Sequence, residues 1–131
     1  MSCHQLMTTN YVVCSPGCQL GDLHSLMEGL YEYAVVIDGC TPKGIIPSTR
    51  VKDLWATSSC SAESSLIPVS RCAAQDSLGY AGARMLQDGS SAALVYRGAA
   101  LVGVVALLDI LQALLSASAN SNAHRGNLLL V

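Results

Sequence analysis

The strongest constraint on this 131-residue chain is that most of it is written twice. The stretch "QLGDLHSLMEGLYEYAVVID" (19–38) lies over "SLGYAGARMLQDGSSAALVY" (77–96). Leu20 meets Leu78, Met27 meets Met85, and Val36-Ile37 meets Leu94-Val95, all at a spacing of 58. "GIIPSTR" (44–50) then meets "GVVALLD" (103–109) at a spacing of 59, which assigns one added residue to the intervening turn. Upstream, "YVVCSPGCQL" (11–20) lies over "VSRCAAQDSL" (69–78). The chain is long enough for one domain with a real core, or for two very small subdomains sharing one.

Each copy reads as the same series of elements. An extended segment comes first, Tyr11 to Cys14 and Ile67 to Ser70. A helix follows, with Leu20, Leu23, Met27 and Leu30 at helical spacing in one copy and Leu78, Ala81 and Met85 in the other. Two strands around a turn come next: "AVVI" and "GII" flank "DGCTPK", while "ALVY" and "LVGVV" flank "RGAA". A second helix closes each copy. "STRVKDLW" puts Val51, Leu54 and Trp55 on one face, and "LLDILQALL" puts Leu107, Ile110, Leu111, Leu114 and Leu115 on one face. The expected domains are a first unit at 8–56, a linker at 57–66, a second unit at 67–116 and a tail at 117–131.

The duplication also decides how to read "GAALVGVVALLDILQALLSA" (98–117), twenty residues with one charge, Asp109. Hydropathy alone would suggest a transmembrane helix of about 20 residues. The repeat divides the run into a strand and a helix of roughly ten residues, neither able to cross hydrocarbon about 30 Å thick. The matching segment of the first copy carries Pro47, Arg50, Lys52 and Asp53. A soluble, cytoplasmic protein with no membrane insertion is therefore expected, and the N-terminus shows no signal-peptide pattern. Net charge is −2 with no run of Lys or Arg, which argues against a nucleic-acid surface. Only 12% of residues are charged, so an apolar patch covered by a partner is expected.

A tandem β-α-β-β-α unit with "G-hydrophobic-hydrophobic-x-x-x-D" leading into the last helix resembles the CBS (cystathionine β-synthase) domain, two of which pack as a Bateman module. The residues that carry the likeness are "LMEGLYEYAVVIDGCTPKGIIPSTRVKDL" and "MLQDGSSAALVYRGAALVGVVALLDIL", within roughly 8–115. The resemblance implies an α/β fold of two units packed about a pseudo-two-fold axis, and a regulatory module rather than an enzyme. It implies a homodimer, an unidentified regulated protein, and an adenosine-containing regulatory ligand such as AMP, ADP, ATP or S-adenosylmethionine, with no required cofactor. By position, the second copy offers Val69, Ser70, Ser91, Ala92, Ala106 and Asp109 to that ligand. The first copy offers Asn10, Val12, Tyr33, Ala34, Ser48 and Arg50. In the family pattern the Asp accepts the ribose hydroxyls and a Ser or Thr three residues earlier holds phosphate. Here Ala106 lacks that hydroxyl, while Pro47 and Arg50 replace both motif residues in the first copy.

Each candidate has a plainer reading beside it. Asp109 in a first helical turn is stabilised by the macrodipole without any ligand. Ser48 or Thr49 can serve as a helix N-cap, Arg50 as a solvated charge, and Ser70 and Ser91 as turn residues. The loss of both motif hydroxyls also fits a structural dimerisation module with degenerate pockets. His4, His24 and His124 have no Ser/Asp setting that suggests catalysis. The six cysteines lack paired metal-binding spacing; Cys3, His4, Cys14 and Cys18 offer zinc a ligand set, but the plainer reading is thiols used as small hydrophobes. The final "LLLV" is expected to dock on this chain or a neighbour, or to be a cloning remnant.

Overall fold

A computed structural model describes residues 1–56 and 61–117. Cys60, His124, part of the linker and all but the first residue of the tail, with its "LLLV", lie outside them. The elements run α1 (Cys3–Leu6), β1 (Tyr11–Cys14), α2 (Leu20–Met27), β2 (Tyr33–Asp38), β3 (Thr41–Pro47), α3 (Ser48–Leu54), a 3-10 turn (Ala62–Ser65), β4 (Ser70–Ala73), α4 (Leu78–Asp88), β5 (Ala92–Arg97) and β6 (Ala100–Ala106). Residues 107–117 form a last helix, α5. The twenty-residue apolar run is thus a strand followed by a helix, and no helix among the described residues is long and apolar enough to cross a membrane.

Each unit holds one three-stranded sheet, ordered β1-β2-β3 and β4-β5-β6. The first pair in each is parallel and the second antiparallel. Alternation along the strands sorts the side chains into two layers. Ala34, Val36 and Ile46 face their own helices, packing with Leu20, Leu23, Met27 and Val51. Val35 and Ile45 turn the other way and meet Ala92, Leu94 and Val104 of the second sheet. This shared layer is why neither unit stands alone.

The duplication extends to the hydrogen bonds, and it corrects the position of the inserted residue. Both hairpins turn through two residues, Gly39-Cys40 and Gly98-Ala99, with the glycine at φ 63° and 62°. A positive φ at the first turn position matches the right-handed twist of the flanking strands, which glycine adopts without strain. The turns are therefore equal in length. The added residue lies earlier, between Met85 and β5: α4 runs eleven residues to a Gly89 cap at φ 70°, whereas α2 stops after eight. From the middle strand onward the spacing is 59, so Val36 matches Val95, and each lies opposite its glycine, Gly44 or Gly103, in the ladder.

Three further expectations change. The second copy's first strand is Ser70–Ala73, not Ile67 to Ser70. Pro68 has no N–H to give a ladder, and Ile67 instead pairs with Ile45 of the first unit. The α2 helix does not reach Leu30, because Gly29 takes φ 72° and leaves Leu30 67% exposed. Thr41 and Pro42, read as turn residues, begin the edge strand β3, where a missing N–H is tolerated.

The chain crosses between units at both ends. The N-terminal segment packs on the second unit: Cys3 joins its core, and Thr8 exchanges backbone bonds with Val104 at 2.8 and 3.0 Å. Residues 61–67 pack on the first unit in the same manner, with Ala62 in its core. The glycine of each strand motif lies under such a crossing. A Cβ on Gly44 would stand 2.9 Å from the Ile67 carbonyl oxygen, and one on Gly103 would meet the Met7 side chain.

Candidate functional site

The last helix of each unit is anchored at its start by one recurring bond. Ser48 N–H donates to the Glu32 carbonyl at 2.8 Å, and Leu107 N–H donates to the Ser91 carbonyl at 2.8 Å. This bond draws the first turn of the helix against the residue before the middle strand. The seam between the two sheets opens beside these turns.

One cleft, of about 240 Å³, is lined by Thr8, Glu32, Tyr33, Pro47, Ser48, Thr49, Val104, Ala106 and Asp109. Assigning ligand residues copy by copy from the sequence set Asp109 with Val69, Ser70 and Ser91. The structure instead brings Asp109 and Ala106 of the second unit to Tyr33 and Ser48 of the first, because the units pack sheet to sheet. Asp109 is exposed, on the third helical residue of α5. Burial raises the Tyr33 phenol above its ordinary range, and the Asp109 and Glu32 carboxylates push it further. Those carboxylates give the cleft a negative field, and no Lys or Arg lines it.

The capping reading of Ser48 and Thr49 does not hold. Pro47 is the N-cap of α3, at φ −61° and ψ 148°, and no side chain caps that helix. Both hydroxyls line the cleft, so the cleft has hydroxyls from the first unit although Ala106 brings none.

At the position matching Asp109, the Arg50 Nε donates to the Ser65 carbonyl at 2.7 Å. Arg50 is thereby tied to the crossing segment. Ser70 is buried and its hydroxyl donates to Asp88 at 2.8 Å, holding β4 to the end of α4. Ala34 and Ala92 are buried and Val69 packs into the layer between the sheets, while Val12 packs on the first unit's own core. Ser91 is exposed, its carbonyl taken by Leu107.

A second groove of about 670 Å³ adjoins the acidic cleft, sharing Glu32, Ser48 and Thr49 with it. It holds Asn10, whose carbonyl accepts the Glu32 N–H at 2.8 Å, and ends near His24, which stacks on Trp55 at 4.3 Å. Trp55 thus leaves the apolar face expected of it and rests on an imidazole. Nothing in the sequence singles out Thr8 or Glu32, and Thr49 is marked there only as a helix cap. Each contributes through the crossing or the seam, which reading one copy at a time does not reveal. Among the described residues, no group of three or more His, Cys, Asp or Glu is placed to hold a metal ion.

Residues 3–55 match the sequence model of the CBS domain family. No curated protein sequence matches the chain. Among solved structures, the chain is similar to a hemolysin-like protein containing a CBS domain from Oenococcus oeni PSU, at 12% identity and TM-score 0.67, over 86% of this chain and 88% of that one. It is similar to the CBS domains of a transcriptional regulator from Streptococcus pneumoniae, at 14% identity and TM-score 0.60, over 86% and 98%. It is also similar to the CBS domain of a bacterial CNNM/CorC family Mg2+ transporter in complex with ATP, at 16% identity and TM-score 0.66, over 86% and 85%.

Proposed function

We propose that the chain is a tandem CBS-domain regulatory module which binds an adenosine-containing ligand and signals to a partner protein. The observation that carries this reading is the convergence of Asp109, Tyr33, Ser48 and Thr49 on one cleft at the seam. A carboxylate at a helix start can accept two ribose hydroxyl bonds, and a nearby phenol and hydroxyls can donate or accept as the ligand requires. The ATP complex of the transporter CBS domain supports the ligand class.

Charge refines the ligand. With Glu32 and Asp109 in the lining and no cation, a phosphate placed there meets repulsion, whereas hydroxyls or a positive group are favoured. S-adenosylmethionine, whose sulfonium is cationic, therefore fits this cleft better than free AMP. The ligand is regulatory and the module requires no cofactor. Binding should fall in the micromolar to millimolar range, since Ala106 withholds one hydrogen bond worth about 1 kcal/mol.

The module works as a homodimer through its helices. Leu26, Leu108 and Leu115 are 50–68% exposed, more apolar helix surface than a monomer ordinarily shows. A second reading, a structural dimerisation module with degenerate pockets, is favoured by one observation: Arg50 is bonded to Ser65 instead of being free for a ligand. Titration calorimetry with S-adenosylmethionine and with AMP separates the two, because the degenerate module gives no heat with either.

A further inference from the structure

The two units carry cysteines at matched places, and each has a second thiol for a neighbour. Cys72, in β4, lies beside Cys3 of α1, and both are buried in the second unit's core. Cys14, at the corresponding end of β1, lies beside Cys18, and both pack on the first unit's core. Their neighbourhood is built by the backbone. Ser15-Pro16-Gly17-Cys18 is a tight turn, closed by Cys18 N–H donating to the Ser15 carbonyl at 3.1 Å, which returns the chain to the end of the strand.

Access separates the pairs. Cys3 is 0% and Cys72 7% exposed, while Cys14 and Cys18 are both partly open to solvent. We propose that Cys14 and Cys18 form a reversible oxidation site, a dithiol that a hydroperoxide converts to an intramolecular disulfide.

The Cys18 thiolate attacks the peroxide; an S–O bond forms, the O–O bond breaks, and the leaving oxygen departs as water or an alcohol. Cys14 then loses its proton and attacks the sulfenyl sulfur; the S–S bond forms and the S–O bond breaks, releasing water. Two electrons pass from the sulfurs to the peroxide, and a thiol reductant restores the dithiol. Burial, reinforced by Cys18, raises the Cys14 thiol to about 11, so the second attack waits on its deprotonation and quickens as pH rises.

The same turn holds the crossing segment. Ala62 N–H donates to the Cys18 carbonyl at 2.6 Å and Glu63 N–H to the Pro16 carbonyl at 3.0 Å. That segment continues to Ser65, the acceptor of Arg50. Oxidation therefore acts directly beneath the strap that holds Arg50.

The test uses the full chain carrying Cys40→Ser and Cys60→Ser, treated with hydrogen peroxide, alkylated under denaturing conditions and mapped by mass spectrometry. Cys14 and Cys18 should escape alkylation together, be linked with the loss of two hydrogens, and return to alkylation after dithiothreitol. Cys3 and Cys72 should remain alkylated. Cys18→Ser should remove the link; if that variant does not fold, the mapping of the parent chain decides alone. Peroxide-treated protein with Cys14 and Cys18 still alkylated, carrying unlinked sulfinic acids, or linked only at Cys3 and Cys72 overturns the proposal.

Discussion

Asp109, on the last helix of the second unit, acts electrostatically on the phenol of Tyr33, which opens the middle strand of the first. Burial is the larger cause of the raised Tyr33 phenol, and Asp109 adds to it from the opposite unit. Asp109→Asn should therefore lower the Tyr33 phenol towards its ordinary value. Ultraviolet titration of phenolate formation, compared with Tyr33→Phe, measures the shift. An unchanged titration would place Asp109 away from the seam.

The glycine of each strand motif is set by the crossing chain. Gly44→Ala should destabilise the protein by about 1–3 kcal/mol, because the added methyl meets a backbone carbonyl that cannot step aside. Gly103→Ala meets only the flexible Met7 side chain and should be the milder of the two. Urea unfolding of both variants tests the order.

Much of this architecture was legible in the sequence for a physical reason. Leu20, Leu23 and Met27, or Leu78, Ala81 and Met85, recur with the period of a helix, and short apolar runs rich in branched residues on either side of a turn mark the strands. What was not legible depends on contacts between copies. Nothing local marks Ile67 as a partner of Ile45, Thr8 as a neighbour of Val104, or Glu32 as a wall beside Asp109. The same limit set Asp109 among residues of its own copy. The apolar helix "LLDILQALL" was read as one face, yet only Ile110 is fully buried while Leu108 and Leu115 are 64% and 68% exposed. Composition gave its apolar character, and only packing sorts it by side.

That sorting predicts opposite outcomes on one helix. Ile110→Ala should cost about 2–5 kcal/mol of stability, since its side chain is wholly enclosed. Leu115→Glu should change monomer stability by no more than about 0.5 kcal/mol while weakening self-association. Sedimentation at micromolar concentration reads the second effect. A parent chain that sediments as a stable monomer contradicts the dimer.

Alkaline pH should loosen the fold. Burial raises the Cys14 thiol from 9.0 to about 11 and the Cys72 thiol from 9.0 to about 12. Above pH 9 the unfolded chain gives up these protons while the folded chain retains them, so folding stability falls as pH rises through this window. Urea midpoints between pH 8 and 11 should decline, and Cys72→Ala should flatten the decline.

The proposed regulatory role requires one adenosyl-ligand site per chain, built by Asp109 at the seam. Titration calorimetry with S-adenosylmethionine on the parent protein and on Asp109→Ala tests it most directly. A charge-assisted hydrogen bond contributes about 1.5–3 kcal/mol, so the variant should bind about ten-fold or more weakly. The parent should show one site per chain and prefer S-adenosylmethionine to AMP. Two equal sites, affinity indifferent to Asp109→Ala, or no heat with either ligand would contradict the account.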